Sequence, residues 1–182
     1  MYALGYLYKK VASNSGWIET PLVKDVYALS GCVTEPFCNY IKHWKHNGFW
    51  LFDHPRIMEQ LAIEQAISLE GLKLFYYEAF EKEYDEEKKV WQDYFADNSF
   101  HTRVEAPKSK KLEGFDVVCY ACATSPECSP LSCNALAESI PTNQHCLIAT
   151  FDDAWEAVDG GQFDGSEPGP FRIVAVYSVD DV

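Results

Sequence analysis

Apolar and polar positions alternate from Met1 to Tyr8, the two-residue period of a half-buried strand, and Lys9-Lys10 follow the apolar run. Ser13-Asn14-Ser15-Gly16 reads as a turn, after which Trp17 to Val23 continues the sheet; Asp25 to Ser30 is apolar without a decisive period. From Pro36 to His46 the period becomes helical. Thr34 caps, Pro36 suits the first turn, and Phe37, Tyr40, Ile41 and Trp44 form a stripe that Asn47-Gly48 ends. Phe49 to Phe52 is a short buried run. Asp53 then caps a second helix that admits Pro55 and turns Ile57, Met58, Leu61 and Ala62 inward.

Leu72 to Phe80 is apolar on both alternating faces, as an interior strand requires. Val90, Trp91, Tyr94 and Phe95 recur at helical spacing and predict a third helix. Residues 98–112 are polar and read as a surface loop or hairpin. Phe115 to Cys122 alternates as a strand, and the turn at 123–130 leads into a fourth helix over 131–140, with Ser129 as cap and Pro130 as first residue. A short strand at Cys146–Ala149 precedes a capping box, Thr150 with Asp153, whose helix ends at Asp159-Gly160-Gly161. Phe171 to Val179 is the last strand. Helices and strands interleave without a regular βαβ repeat. The pattern predicts a single α+β domain over residues 1–182, with a mixed or antiparallel sheet flanked by about four helices.

Charge changes the picture most. The 182 residues carry 15 Lys and Arg against 28 Asp and Glu, a formal charge of −13. Nucleic-acid binders neutralise phosphates with basic residues, so that class is disfavoured, as is attachment to anionic membranes. The acids are concentrated. Glu78, Glu81, Glu83, Asp85, Glu86 and Glu87 face only Lys82 between positions 78 and 87, and Asp152, Asp153, Glu156 and Asp159 form a second patch. With aromatics at 15% supplying anchors, this points to a basic protein partner met at Glu81, Glu83, Asp85, Glu86, Glu87, Asp152, Asp153, Glu156 and Asp159. Bacterial immunity proteins, which neutralise toxins, share that general acidic character.

Seven cysteines raise a second possibility. The amino terminus lacks a signal-peptide layout and no apolar stretch approaches a membrane span, so a cytoplasmic location and reduced thiols are expected. One frame, C-x-T-x-P-x-C, occurs twice, at Cys32–Cys38 and Cys122–Cys128, ninety positions apart, and no other tandem repeat is evident. Cys119, Cys122, Cys128 and Cys133 offer soft ligands for a structural zinc ion, though a core role for cysteine is the commoner one. Cys38, Cys128 and Cys133 fall near predicted helix amino ends, where a thiol gains reactivity. His43-x-x-His46 reads as a solvated helix face. Walker, dinucleotide, nucleophile-elbow and zinc-protease motifs are absent, and no catalytic residue is assigned.

Overall fold

A computed structural model of the protein describes residues 1–30, 37, 46–94, 103–120 and 128–180. In chain order its elements are β1 (Tyr2–Lys10), β2 (Ala12–Ser13), β3 (Asp25–Val26), α1 (Pro55–Gln65), β4 (Leu72–Ala79), β5 (Lys82–Asp85), β6 (Val90–Asp93), β7 (Lys111–Cys119), α2 (Pro130–Cys133), α3 (Phe151–Asp159) and β8 (Phe171–Ser178). A 3₁₀ turn at Leu136–Glu138 follows α2. The centre of the main sheet runs β1-β4-β8-β7, antiparallel throughout. β5 takes over from β4 along β8, at Tyr84↔Phe171, and carries β6 at its outer edge.

Two halves of this chain share one construction. In the first, Asn47 donates through Nδ2 to Leu4 O (2.7 Å) and accepts at Oδ1 from Phe49 N and Leu51 N. In the second, Asn143 donates to Glu113 O (2.8 Å) and accepts from His145 N and Leu147 N. Each asparagine loop holds one residue at positive φ, Trp50 at 58° and Cys146 at 60°. Each then bridges to a central strand, Phe52 to Tyr6 and Ile148 to Phe115, before entering α1 or α3.

The strands opposite carry a bulge and a glycine at the same place. Gly5 (φ +134°) and Gly114 (φ +146°) leave room for those loops: a Cβ would stand 2.7 Å from Phe52 O and 2.8 Å from Ile148 O. Gly5↔Tyr77, Leu7↔Phe75 and Lys9↔Lys73 in one half therefore match Gly114↔Val176, Asp116↔Val174 and Val118↔Arg172 in the other. Tyr77 pairs with its own counterpart, Val176, so a local two-fold axis passes through that pair. The sequence does not announce this duplication, because the shared feature is backbone geometry that two asparagines and two glycines enforce.

By that symmetry both longer helices cover one face of the sheet. Tyr8 N meets Met58 Sδ of α1 (3.2 Å), and Phe115 packs its ring on Phe151 of α3. The opposite face lies under the segment around Tyr27–Ser30, whose Tyr27 ring meets Phe75 edge-on and whose Leu29 N bonds to Asp116.

Several local expectations need correction. Among the described residues there are three α-helices, not four. Val90–Asp93 is strand β6: Lys89 at φ 54° turns the hairpin, and Trp91 pairs across it with Tyr84. The helix expected over 131–140 breaks after four residues into α2 and the 3₁₀ turn, with Ala135 at positive φ between them. Residues 17–23 form no strand, and residues 146–149 contribute only the isolated Phe115↔Ile148 bridge. His54, not Asp53, is the N-cap of α1, since Asp53 accepts from Asn47 Nδ2 and Arg103 N instead. The helix expected over 36–46 lies outside the described residues apart from Phe37 and His46. His46 is buried against the Phe52 ring (4.4 Å), not on a solvated face.

Asn143→Ala removes three hydrogen bonds of one loop and should lower unfolding free energy by about 2–4 kcal/mol, with Asn47→Ala close to it. Urea denaturation measures both. A loss below about 0.5 kcal/mol at either position would show that the loops hold without their asparagines.

Candidate functional site

The two acidic stretches come together in space. Trp91 of β6 stacks on Trp155 of α3 at 4.0 Å and 11°, Phe80 packs edge-on against both, and Trp91 Nε1 donates to Asp159 (3.1 Å). Of the acids named from sequence, several are engaged within the fold. Glu81 pairs with the amino-terminal ammonium (2.9 Å), Glu83 accepts from Gln92 (2.9 Å), and Asp85 pairs with Lys88. Glu86 accepts from Gly165 N and Gly169 N, and Asp153 accepts from Thr150 Oγ1 in the expected capping box. Glu87, Asp152 and Glu156 are left exposed. Beside α3 lies a cavity of about 340 Å³ walled by Ile140, Pro141, Ile148 and Ala157, with Asp153 and Glu156 at its edge.

The cysteines divide. Cys119 and Cys128 face each other across an antiparallel bridge (Cys119 N to Cys128 O, 2.8 Å), and their thiols address one loop, at Pro168 O (2.6 Å) and Glu167 Oε1 (3.6 Å). Cys133 turns elsewhere, 3.4 Å from Ser30 Oγ. It also closes α2 instead of opening it. Burial pushes the Cys146 thiol up to about 12, which leaves it unreactive near neutral pH. Cys122, and the frame at Cys32–Cys38, lie outside the described residues. Among the described residues no group of three His, Cys, Asp or Glu is placed to hold a metal ion, and no helix is long and apolar enough to cross a membrane.

The most unusual chemistry lies where sequence reading assigned none. Three charged side chains, Lys9, Asp116 and Arg172, are wholly buried on the sheet face opposite the long helices, with Tyr77 and Tyr120 beside them. Asp116 is the hub. Its carboxylate accepts from Leu29 N (2.7 Å) and Ser129 Oγ (2.5 Å). Ser129 is the N-cap of α2 as expected, yet its hydroxyl makes no cap bond because Asp116 takes it. Lys9 donates to Ala28 O (2.5 Å). Burial raises the Asp116 carboxyl to about 6 despite those hydrogen bonds and the nearby Lys9 charge. Burial lowers Lys9 to about 8, with the charge of Asp116 pulling the other way.

The duplication supplies an internal control. Where one half buries Asp116 the other has Leu7, and where one buries Lys9 the other has Val118. Tyr77 has Val176 as its counterpart. An apolar side chain therefore satisfies the same backbone position, and the fold alone does not call for these polar groups. The sequence held a usable signal: Arg172 and Asp116 interrupt otherwise apolar strands, Phe171–Tyr177 and Phe115–Val118, at inward positions.

No protein-family model matches the chain, and no curated protein or solved structure matches it either. The geometry of its own groups is therefore what bears on function.

The Lys9–Asp116 pair predicts a distinctive cycle. Lys9→Val strands a buried carboxylate and should cost about 3–5 kcal/mol at pH 7. Adding Asp116→Leu should recover about 1–3 kcal/mol of coupling, less than the full cost because Leu29 N loses its acceptor. The raised Asp116 carboxyl favours the fold at low pH, and that contribution is lost as pH rises through about 6. The lowered Lys9 favours the fold at high pH, and that contribution is lost as pH falls through about 8. Wild-type stability relative to the double variant should thus be lowest between pH about 6 and 8 and rise on either side. Additive single-variant costs, or a difference that stays flat from well below pH about 6 to well above pH about 8, would contradict the pairing.

Proposed function

We propose that this protein is an acidic protein-binding module of inhibitor or immunity type, which takes a basic partner on the face made by the β5–β6 hairpin and α3. The observation that carries the reading is the Trp91–Trp155 stack, which sets two acidic stretches distant in sequence side by side. Two of that hairpin's three lysines are already matched, Lys88 by Asp85 and Lys89 by Asp164, so only Lys82 remains to offset the exposed acids there. The cavity beside α3 adds an apolar wall under Asp153 and Glu156, which suits the stem and head of a lysine or arginine side chain. Opposed fields speed encounter and select against acidic competitors. A cytoplasmic location fits this role.

A second reading has its own support. Cys119 and Cys128 lie opposite each other across an antiparallel bridge, a placement that suits paired thiol chemistry or two of the ligands of a zinc ion. Elemental analysis of chelator-free protein, with thiol titration, separates that reading from the first: bound zinc or a fast-reacting thiol supports it.

For the first reading, an oligo-arginine peptide is the probe. Binding by calorimetry should weaken at least about tenfold between roughly 0.05 and 0.3 M salt. Glu87→Gln, Asp152→Asn and Glu156→Gln together should weaken it by a similar factor, while Glu64→Gln in α1 with Glu70→Gln just after it should not. Salt-independent binding, or equal losses in both sets, would overturn the docking face.

A further inference from the structure

Arg172 is wholly buried near the start of β8 and uses only part of its hydrogen-bonding capacity. Its Nη2 donates to Phe80 O (2.9 Å), whereas Nε and Nη1 are buried without an acceptor among the described residues. The rings of Tyr94 and Tyr120 lie 3.6 Å and 5.1 Å from its guanidinium carbon. Such rings act on the faces of the guanidinium, but its N–H bonds lie in its plane, so stacking leaves those donors unsatisfied. The Tyr120 hydroxyl, also buried, has no hydrogen-bond partner among the described residues either. Its ionisation is pushed well up by burial, so it remains a neutral donor.

The two-fold relation shows what is missing. Lys73 occupies the equivalent place in the other half, and its surroundings are complete. Its ammonium donates to the Tyr27 hydroxyl (2.9 Å), lies over the Tyr27 and Phe75 rings, and stands 3.8 Å from the Glu113 carboxylate. Arg172 has the rings and the phenol. The counterpart of Glu113, fixed by the asparagine bonds to Glu113 O and Leu4 O, is Leu4, which brings no charge. Among the described residues the core thus holds Lys9 balanced by Asp116, and Arg172 balanced by nothing. A buried cation without a counter-charge is strongly unfavourable unless an anion joins it.

We propose that Arg172 and Tyr120 form a binding site for a small oxyanion, a carboxylate or a phosphate, which takes the role that Glu113 plays beside Lys73. The oxygens accept from Nε and Nη1 of Arg172 and from the Tyr120 hydroxyl, with the Tyr94 ring as one wall. Lys9 and Asp116 form a neutral pair next to it and leave the positive charge of Arg172 unspent. This site lies on the sheet face away from the long helices, and it stands or falls apart from the acidic docking face.

Thermal unfolding and calorimetry with sodium acetate and with sodium phosphate, each against sodium chloride at equal ionic strength, test it on the intact chain. Wild-type protein should show a saturable gain from at least one oxyanion over chloride. Tyr120→Phe, which keeps the ring, should weaken that binding at least about tenfold, and Arg172→Met should abolish it. If Arg172→Met does not fold, the Tyr120→Phe comparison decides. Native mass spectrometry of freshly purified protein should also show a small acid retained by wild type and lost from Tyr120→Phe. No gain from either oxyanion together with no retained acid would overturn the proposal, as would a Tyr120→Phe response equal to wild type.

Discussion

A charge placed inside a sheet must be answered by another charge or by enough hydrogen bonds to replace water, and this requirement organises the molecule more than any surface feature. The sheet face away from α1 and α3 carries Lys9, Asp116 and Arg172 in full burial. Asp116 is answered by Lys9, Leu29 N and Ser129, which ties β1, β7, the Tyr27–Ser30 segment and the start of α2 to one carboxylate. Arg172 is answered by one carbonyl and two rings, which satisfies neither its charge nor its plane of donors.

The duplicated architecture makes that imbalance interpretable. A single domain gives no reference for what a buried position needs; here each central strand has a counterpart in the same molecule. Leu7 and Val118 stand where Asp116 and Lys9 have their equivalents, so packing alone is served by carbon. Lys73 and Arg172 are both cations, yet only Lys73 has a carboxylate beside it. The polar groups that appear in one half only are therefore not a shared structural need of the duplicated fold.

Part of this was legible in the residues. Alternation located β1, β4, β7 and β8, and the Thr150–Asp153 box located the start of α3, because those signals are local. Val90–Asp93 was misread because hydrophobic spacing over six residues fits both periods, and the decisive fact, a turn with Lys89 at positive φ, is not a glycine signature. The duplication was hidden because its determinants are four residues, Gly5, Asn47, Gly114 and Asn143, separated by loops of unequal length. Charge counting found the acidic stretches but not how many of those acids the fold itself employs, as Glu86 does in holding Gly165 and Gly169. The buried layer went unassigned because Asp116 and Arg172 are single letters within apolar strands, and only strand register shows that they face inward together.

A crystal structure at atomic resolution, with difference density inspected around the Arg172 guanidinium, tests the central claim most directly. The account predicts oxyanion density within hydrogen-bond distance of Nε or Nη1 and of the Tyr120 hydroxyl. An Asp or Glu of the chain itself bonded to those nitrogens would contradict it, because the core would then be neutral without a ligand.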